Sequence, residues 1–216
     1  GGGTWTLSGV NTYTGTTTVN AGGLILNGSL AVGSNLSVAA AAWLAGSGTA
    51  PGTVTVSGTL SPGNSPGVIT LGSLVLTSTS VTAIEVASAG TRGTNYDGVS
   101  ILNASGLTYG GTMSFAFGGS AIAPNTTLDI FSFTGTPSGG FATLVSTGFY
   151  AGTWTNNNNG TFTLIKDSDT LTFSESTGDV IVVPEPAVTL VAMAGLVATL
   201  AARRRRRTRA GTSDAR

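Results

Sequence analysis

Apolar and polar residues alternate in short runs along most of the chain. Such runs occur at 53–56 (Thr-Val-Thr-Val), 74–77, 81–86, 99–102, 113–117, 128–133, 162–165 and 171–174, each bounded by Gly, Asn, Pro or Ser. Period-two runs between turn residues predict half-buried β-strands. A helix-like pause interrupts the pattern at 38–45, where Ala39 to Ala42 are four successive alanines. Its Gly-rich flanks limit it to a short turn or a rung of small residues.

The first stretch has a finer order. Thr4-Trp5-Thr6-Leu7 reads as a strand, Val10 to Gly15 as a turn with one aromatic, Thr16 to Val19 as a second strand, and Leu24-Ile25-Leu26 as the start of a third. A looser echo follows at 54–60 and 71–76. Strand and turn recur with a coil of roughly 20 to 30 residues, the range of solenoid repeats. Each coil then buries its apolar stripe only by stacking on its neighbours. Gly and Asn suit the corners because they tolerate positive φ.

The run Leu7-Ser8-Gly9-Val10-Asn11-Thr12-Tyr13-Thr14-Gly15-Thr16-Thr17-Thr18-Val19-Asn20-Ala21-Gly22-Gly23-Leu24 closely resembles the autotransporter-associated β-strand repeat, S-G-x-N-T-Y-T-G-x-T-x-V-x-x-G-x-L. The resemblance covers about one repeat, and Ser61-Pro62-Gly63-Asn64-Ser65-Pro66-Gly67 resembles the segment that often ends such arrays. It implies a right-handed parallel β-helix on a bacterial surface protein. The expected fold is therefore all-β: β-helix repeats over 1–84, a β-rich cap over 85–179, where phenylalanine becomes frequent, and a tail over 180–216 holding one short transmembrane helix. An open solenoid end exposes unpaired strand edges, so a cap is required.

Composition narrows the functional classes. Of 216 residues, 33 are Gly, 40% are hydrophobic and only 8% are charged. Apolar residues are ample and often β-branched, which favours a folded β chain over disorder. The formal net charge of zero hides an asymmetry. Six of the nine basic residues are Arg203, Arg204, Arg205, Arg206, Arg207 and Arg209, whereas residues 1–183 hold two bases against seven acids, a balance of −5. That acidic body has no electrostatic footprint for nucleic acid. With no Cys and no His, disulfides, thiolate zinc sites and histidine ligands are excluded. The chain opens on Gly1 with no signal peptide. An exported protein needs one, so the expectation is a fragment whose N-terminus lies upstream.

The tail orders three features: Val183-Pro184-Glu185-Pro186, an uncharged segment at 187–202, and the arginine run. Prolines disfavour helix and hold the first part extended. As a helix, 187–202 would cover about 24 Å against a hydrocarbon core of ~30 Å, a marginal span. The arginines would stay cytoplasmic and leave the body outside. This order resembles the PEP-CTERM sorting signal. The resemblance implies recognition of Pro184, Glu185 and Pro186 by a membrane-embedded exosortase-type enzyme. Arg203 to Arg207 would be the membrane stop, the inner membrane a station on the route, and the host a matrix-forming Gram-negative bacterium.

Candidate chemistry is sparse. Asp167-Ser168-Asp169 could offer oxygens to Ca²⁺ beside the Asn156–Asn159 run, but a calcium loop needs six or more oxygens, so a hairpin turn is favoured. Glu85 and Asp97 could serve a glycosidase only if paired, and no cluster stands out in the sequence. Trp5, Tyr13, Trp43, Tyr96, Tyr109, Tyr150 and Trp154 could build a sugar-stacking platform; packing at corners and cap is favoured. Asn27, Asn35, Asn103, Asn125 and Asn159 form chance sequons in an Asn- and Thr-rich chain. The expectation is a structural, adhesive surface protein with no catalytic residues, metal or cofactor. A carbohydrate- or calcium-binding module is the alternative, and a polysaccharide-active enzyme comes third. Extracellular polysaccharide is a candidate partner.

Overall fold

A computed structural model describes residues 2–184. Among them the chain is all β-strand: β1 (Thr4–Leu7), β2 (Thr17–Val19), β3 (Gly22–Leu26), β4 (Leu36–Val38), β5 (Ala42–Gly46), β6 (Thr49–Val56), β7 (Thr59–Pro62), β8 (Val68–Leu76), β9 (Val81–Val86), β10 (Gly98–Ile101), β11 (Leu107–Tyr109) and β12 (Thr112–Phe117). There follow β13 (Thr126–Asp129), β14 (Phe131–Ser132), β15 (Ser138–Gly139), β16 (Thr143–Gly148), β17 (Gly152–Thr153), β18 (Thr155–Asn156), β19 (Thr161–Lys166), β20 (Asp169–Ser174) and β21 (Asp179–Pro184).

Strands β1, β3, β5, β7, β9, β12 and β16 form one parallel sheet, sheet A, in that order. Strands β2, β4, β6, β8, β10 and β14 form a second, sheet B. The two alternate along the chain, which is the connectivity of a β-solenoid. The registers Leu7↔Leu26, Leu24↔Leu44, Leu44↔Leu60, Thr59↔Val81, Ile84↔Phe115 and Met113↔Leu144 give coils of 19, 20, 16, 22, 31 and 31 residues.

Alternation decides what enters the core. In β5, Ala42, Leu44 and Gly46 point inward while Trp43 and Ala45 face out. Identical positions then stack: Leu24, Leu44 and Leu60 on one sheet, Leu36, Val54 and Leu74 on the other, all buried. Each such Leu contributes about 1.5–3 kcal/mol by leaving water. Trp5 heads the first column but is 76% exposed, because β1 is the terminal rung of the described residues.

The corners hold the rungs close together. A Cβ on Gly72 would sit 1.8 Å from the Pro51 carbonyl oxygen, and Gly46 combines a φ of +108° with a carbonyl 2.2 Å from its missing Cβ. Asn125 and Asn158 take positive φ as expected, but asparagines of the first coils act differently. Asn11, Asn27 and Asn35 are not among the positive-φ residues. They reach the next coil instead: Asn11 Nδ2 donates to Ser29 O at 3.0 Å, Asn27 Oδ1 accepts from Ser47 N at 3.3 Å, and Asn35 Oδ1 accepts from Thr53 N at 2.9 Å. The Ala39–Ala42 pause is the expected turn, closed by Ala42 N donating to Ala39 O at 2.9 Å.

The parallel stack runs on through Glu85, which lies inside β9. At that position, where a separate cap was expected to start, the coils widen from 22 to 31 residues. Aromatics fill the wider interior. Closure comes later, from the antiparallel sheet β13-β21-β20-β19-β18. Phe173 of that sheet reaches Tyr109, Phe115, Phe131 and Phe141 at ring-centroid distances of 6.1–6.4 Å. Strands β1 to β21 and their connections form one compact unit, Gly1–Pro184. Among the described residues no helix is long and apolar enough to cross a membrane, and the expected span at 187–202 lies outside them.

Gly72→Ala should cost about 3 kcal/mol, because the clash is with backbone, and lower the melting temperature by on the order of 10 °C. Gly15→Ala, at a position with nothing within 4 Å, should leave it unchanged. Thermal denaturation followed by circular dichroism checks both.

Candidate functional site

The outward face of sheet A alternates with the inward Leu columns. Small residues recur on it: Ala45 pairs with Ser61 on one pair of rungs and Ala83 with Ser114 on another. Short side chains leave a depression, and Ala116 widens it. One wall is the segment Gly63-Asn64-Ser65, held against the corner of β5 by paired backbone hydrogen bonds between Gly46 and Gly63 at 2.8 and 3.1 Å. The result is a groove of about 620 Å³ containing two carboxylates, Glu85 and Asp97.

Those two residues are twelve positions apart, and the backbone explains how they meet. The chain leaves β9, makes an excursion over 88–95, and returns antiparallel to itself at Val86↔Tyr96. Asn95 closes the excursion: its Oδ1 accepts from Thr91 N at 2.8 Å and its Nδ2 donates to Ser88 Oγ at 2.9 Å. Asp97 then lies against β9, accepting from Glu85 N at Oδ2 and from Gly67 N at Oδ1, both at 2.8 Å. It staples the 63–67 loop to the strand. The Ser65 hydroxyl donates to Glu85 Oε2, a second tie to the same loop.

Asp97 is 3% exposed. Burial pushes its pKa up to about 6 against the two backbone donors that lower it, and the Glu85 charge adds a smaller upward push. A raised carboxyl beside a second one invites an acid–base reading. The hydrogen bonds argue otherwise: both Asp97 oxygens are engaged by backbone N–H groups, and the side chain is enclosed. Glu85 is the carboxylate that faces the groove. The sequence expectation that these acids are scattered is corrected by this pairing, although the pair is built as a staple.

Other candidates fall where packing rules place them. Asp167 and Ser168 are the two loop residues of the β19–β20 hairpin, with Asp167 at φ 55° and Lys166 paired to Asp169 in register. Asp169 accepts from the Tyr150 hydroxyl at 2.8 Å. Among the described residues no group of three or more acidic side chains gathers as a metal site. Tyr96, Tyr109, Tyr150 and Trp154 are core residues. Trp43 is different: its indole lies flat over Gly23 on the outward face, where a Cβ would come within 1.9 Å of the ring. Trp5 and Tyr13 line a second depression of about 430 Å³ at the β1–β2 rung. Pro184 ends β21 and pairs with Asp169. Glu185, Pro186, the 187–202 segment and Arg203 to Arg207 lie outside the described residues.

A family model, the passenger-associated transport repeat, matches residues 1–26. That stretch is the first coil together with β3, the start of the second. No curated protein and no solved structure matches the chain. The repeat points to a secreted, passenger-like surface protein.

Burial, above all, raises the pKa of Asp97, Glu175 and Asp179. They bind protons more tightly folded than unfolded. Their stabilising contribution is therefore complete below the unfolded carboxylate range near pH 4 and is lost as pH rises through Asp97's value of about 6. The melting temperature should rise by on the order of a few degrees between pH 7.5 and pH 5, and Asp97→Asn should flatten that slope. Calorimetry across this range tests the sign: a melting temperature that falls on acidification contradicts it.

Proposed function

We propose that this chain is an exported bacterial surface or matrix protein whose solenoid serves display and adhesion without turnover, and whose tail is an address read by an exosortase-type enzyme at the inner membrane. The observation that carries the first half is the repeat at 1–26 taken together with the stack it begins. Its sequence pattern is a coil, and coils of the same plan follow in register for six further rungs of sheet A. The outward faces are Thr, Ser, Asn and Ala with few charges, a surface suited to hydrogen bonding with hydrated polymers in place of ionic binding.

The second half rests on the order of features after β21. The last described strand ends at Pro184, and the sequence Pro-Glu-Pro disfavours helix, which would present backbone to an enzyme. A marginal apolar segment followed by five arginines would hold the chain in the membrane long enough to be cut. In this reading Pro184, Glu185 and Pro186 are recognised, residues 187–202 dwell in the membrane, and Arg203 to Arg207 stop transfer. The body would then remain at the cell surface or be released.

The mass of the mature protein from cells carrying an exosortase-type enzyme tests this. Loss of the arginine run is expected, and Glu185→Ala should leave the full-length mass. A mature wild-type protein that keeps Arg203 to Arg207 would make the tail an ordinary anchor.

A further inference from the structure

The antiparallel closing sheet exposes more apolar surface than its neighbours in sheets A and B require. Ile165, Ile181 and Val183 are 65%, 39% and 37% exposed, and all three belong to that sheet. Alternation puts them on one face. Leu164, Val180 and Val182 are buried, so Ile165, Ile181 and Val183 point to solvent. Register then gathers them. Ile165 pairs with Thr170 and Thr170 with Val183, while Ile181 lies beside Thr172 in the next row of the same face. The threonine methyls between them extend an apolar surface at the end of the sheet where β21 stops.

Charges near that end are already engaged. Lys166 pairs with Asp167 at 3.8 Å in the β19–β20 hairpin, and Asp169 accepts from the Tyr150 hydroxyl. Asp129 and Asp179 face each other at the opposite end of β21. The same face is thus apolar at one end and acidic at the other.

Chain connectivity identifies what covers the apolar end. β21 ends at Pro184, and the uncharged segment begins at position 187. Three peptide steps separate them, at most about 11 Å. The interfacial layer on each side of the hydrocarbon is about 5–8 Å thick. With 187–202 in the bilayer, Pro184 therefore lies in or just above that layer, and Val183 is one residue further. Length acts in the same direction. As a helix the segment would fall about 6 Å short of the hydrocarbon core, which draws the body toward the membrane. A protein partner would have to compete with lipid for a surface already held there.

We infer that the outer face of the closing sheet is a foot that rests on the lipid surface. Ile165 and Val183 enter the headgroup layer, and the Asp129–Asp179 end tilts into water. The foot holds Pro184, Glu185 and Pro186 at a fixed depth, within reach of an enzyme embedded in the membrane. The contact is apolar and needs no anionic lipid. The inference rests on the reading of 187–202 as a membrane segment.

The chain has no cysteine, so single labels are unambiguous. The full chain, carrying one cysteine with an environment-sensitive fluorophore, is reconstituted in phosphatidylcholine vesicles containing headgroup or acyl-chain spin labels. Labels at Ile165→Cys and Val183→Cys should be quenched from the headgroups several-fold more than one at Thr55→Cys on sheet B. A label at Ser174→Cys, on the same face but beside Asp179, should stay in water. Ile181→Asp should release the Ile165 label, whereas added salt should not. Ala194→Cys reports the tail separately and should be quenched from the acyl chains. An Ala194 label in water would overturn the membrane reading and the foot with it. An Ala194 label in the acyl chains, with Ile165 and Val183 no more quenched than Thr55, would overturn the foot alone. Equal quenching at Ile165 and Ser174, or release by salt, would do the same.

Discussion

The closeness of one rung to the next is the constraint on which the whole body depends. Backbone oxygens of one coil stand where the Cβ of the next would be, as at Pro51 O against Gly72 and Leu26 O against Gly46. Strand hydrogen bonds need that approach, and only glycine permits it where the chain turns. Once the corners are that tight, register follows. Leu24, Leu44 and Leu60 can stack only if every coil passes the corner at the same height. Part of the 16- to 31-residue spread of coil lengths is stored in excursions from the coil, as at 88–95.

That spread organises the rest of the fold. Longer coils enclose a wider interior, and aliphatic side chains reaching in from two sheets no longer meet. Phe115, Phe117, Phe131 and Tyr109 span the larger section, and Phe173 from the antiparallel sheet fills its centre. Closure of the end and widening of the coils are thus one event: the aromatic interior is also the surface on which the closing sheet packs. Trp154 illustrates the join. It stacks on Phe115 of β12 at 5.4 Å and donates to Ser146 Oγ of β16 at 3.1 Å, while lying between two strands of the antiparallel region.

Much of this was legible in the sequence because it is local. Alternation in 81–86 or 113–117 states which residues face in, and the Ala39–Ala42 turn follows from its flanks. The phenylalanine-rich half was visible too, but its meaning was not. Frequency cannot distinguish a separate cap from wider coils, since that depends on the register of Ile84 on Phe115 across 31 residues. The candidate groove was least legible. Glu85 and Asp97 look scattered because an excursion of variable length separates them, and Ser65 carries no signal beyond its place in a Gly- and Pro-rich run. The corner asparagines were found for a partly wrong reason: Asn27 and Asn35 serve through a side-chain oxygen aimed at the next coil.

A chain with no cysteine must fix its loops by other means, and here acceptors in side chains do that work. Asp97 ties Gly67 to Glu85, Glu175 takes the Phe141 N–H at 2.7 Å, and Asp169 takes the Tyr150 hydroxyl. Arg92 joins the set, donating to Val99 O at 2.7 Å and pairing at 3.8 Å with Asp129, which faces Asp179 across β13 and β21. Burial raises the pKa of Asp97, Glu175 and Asp179 despite the donors that lower it. Desolvation therefore outweighs the hydrogen bonds, and each of these acids weakens the fold at neutral pH relative to a group left in water. What they supply is position. The 63–67 loop is held by such hydrogen bonds, and it forms a wall of the groove that Glu85 faces. Stability comes from the stacked Leu and Phe columns, and the buried acids draw on that surplus to give the outward surface a defined shape.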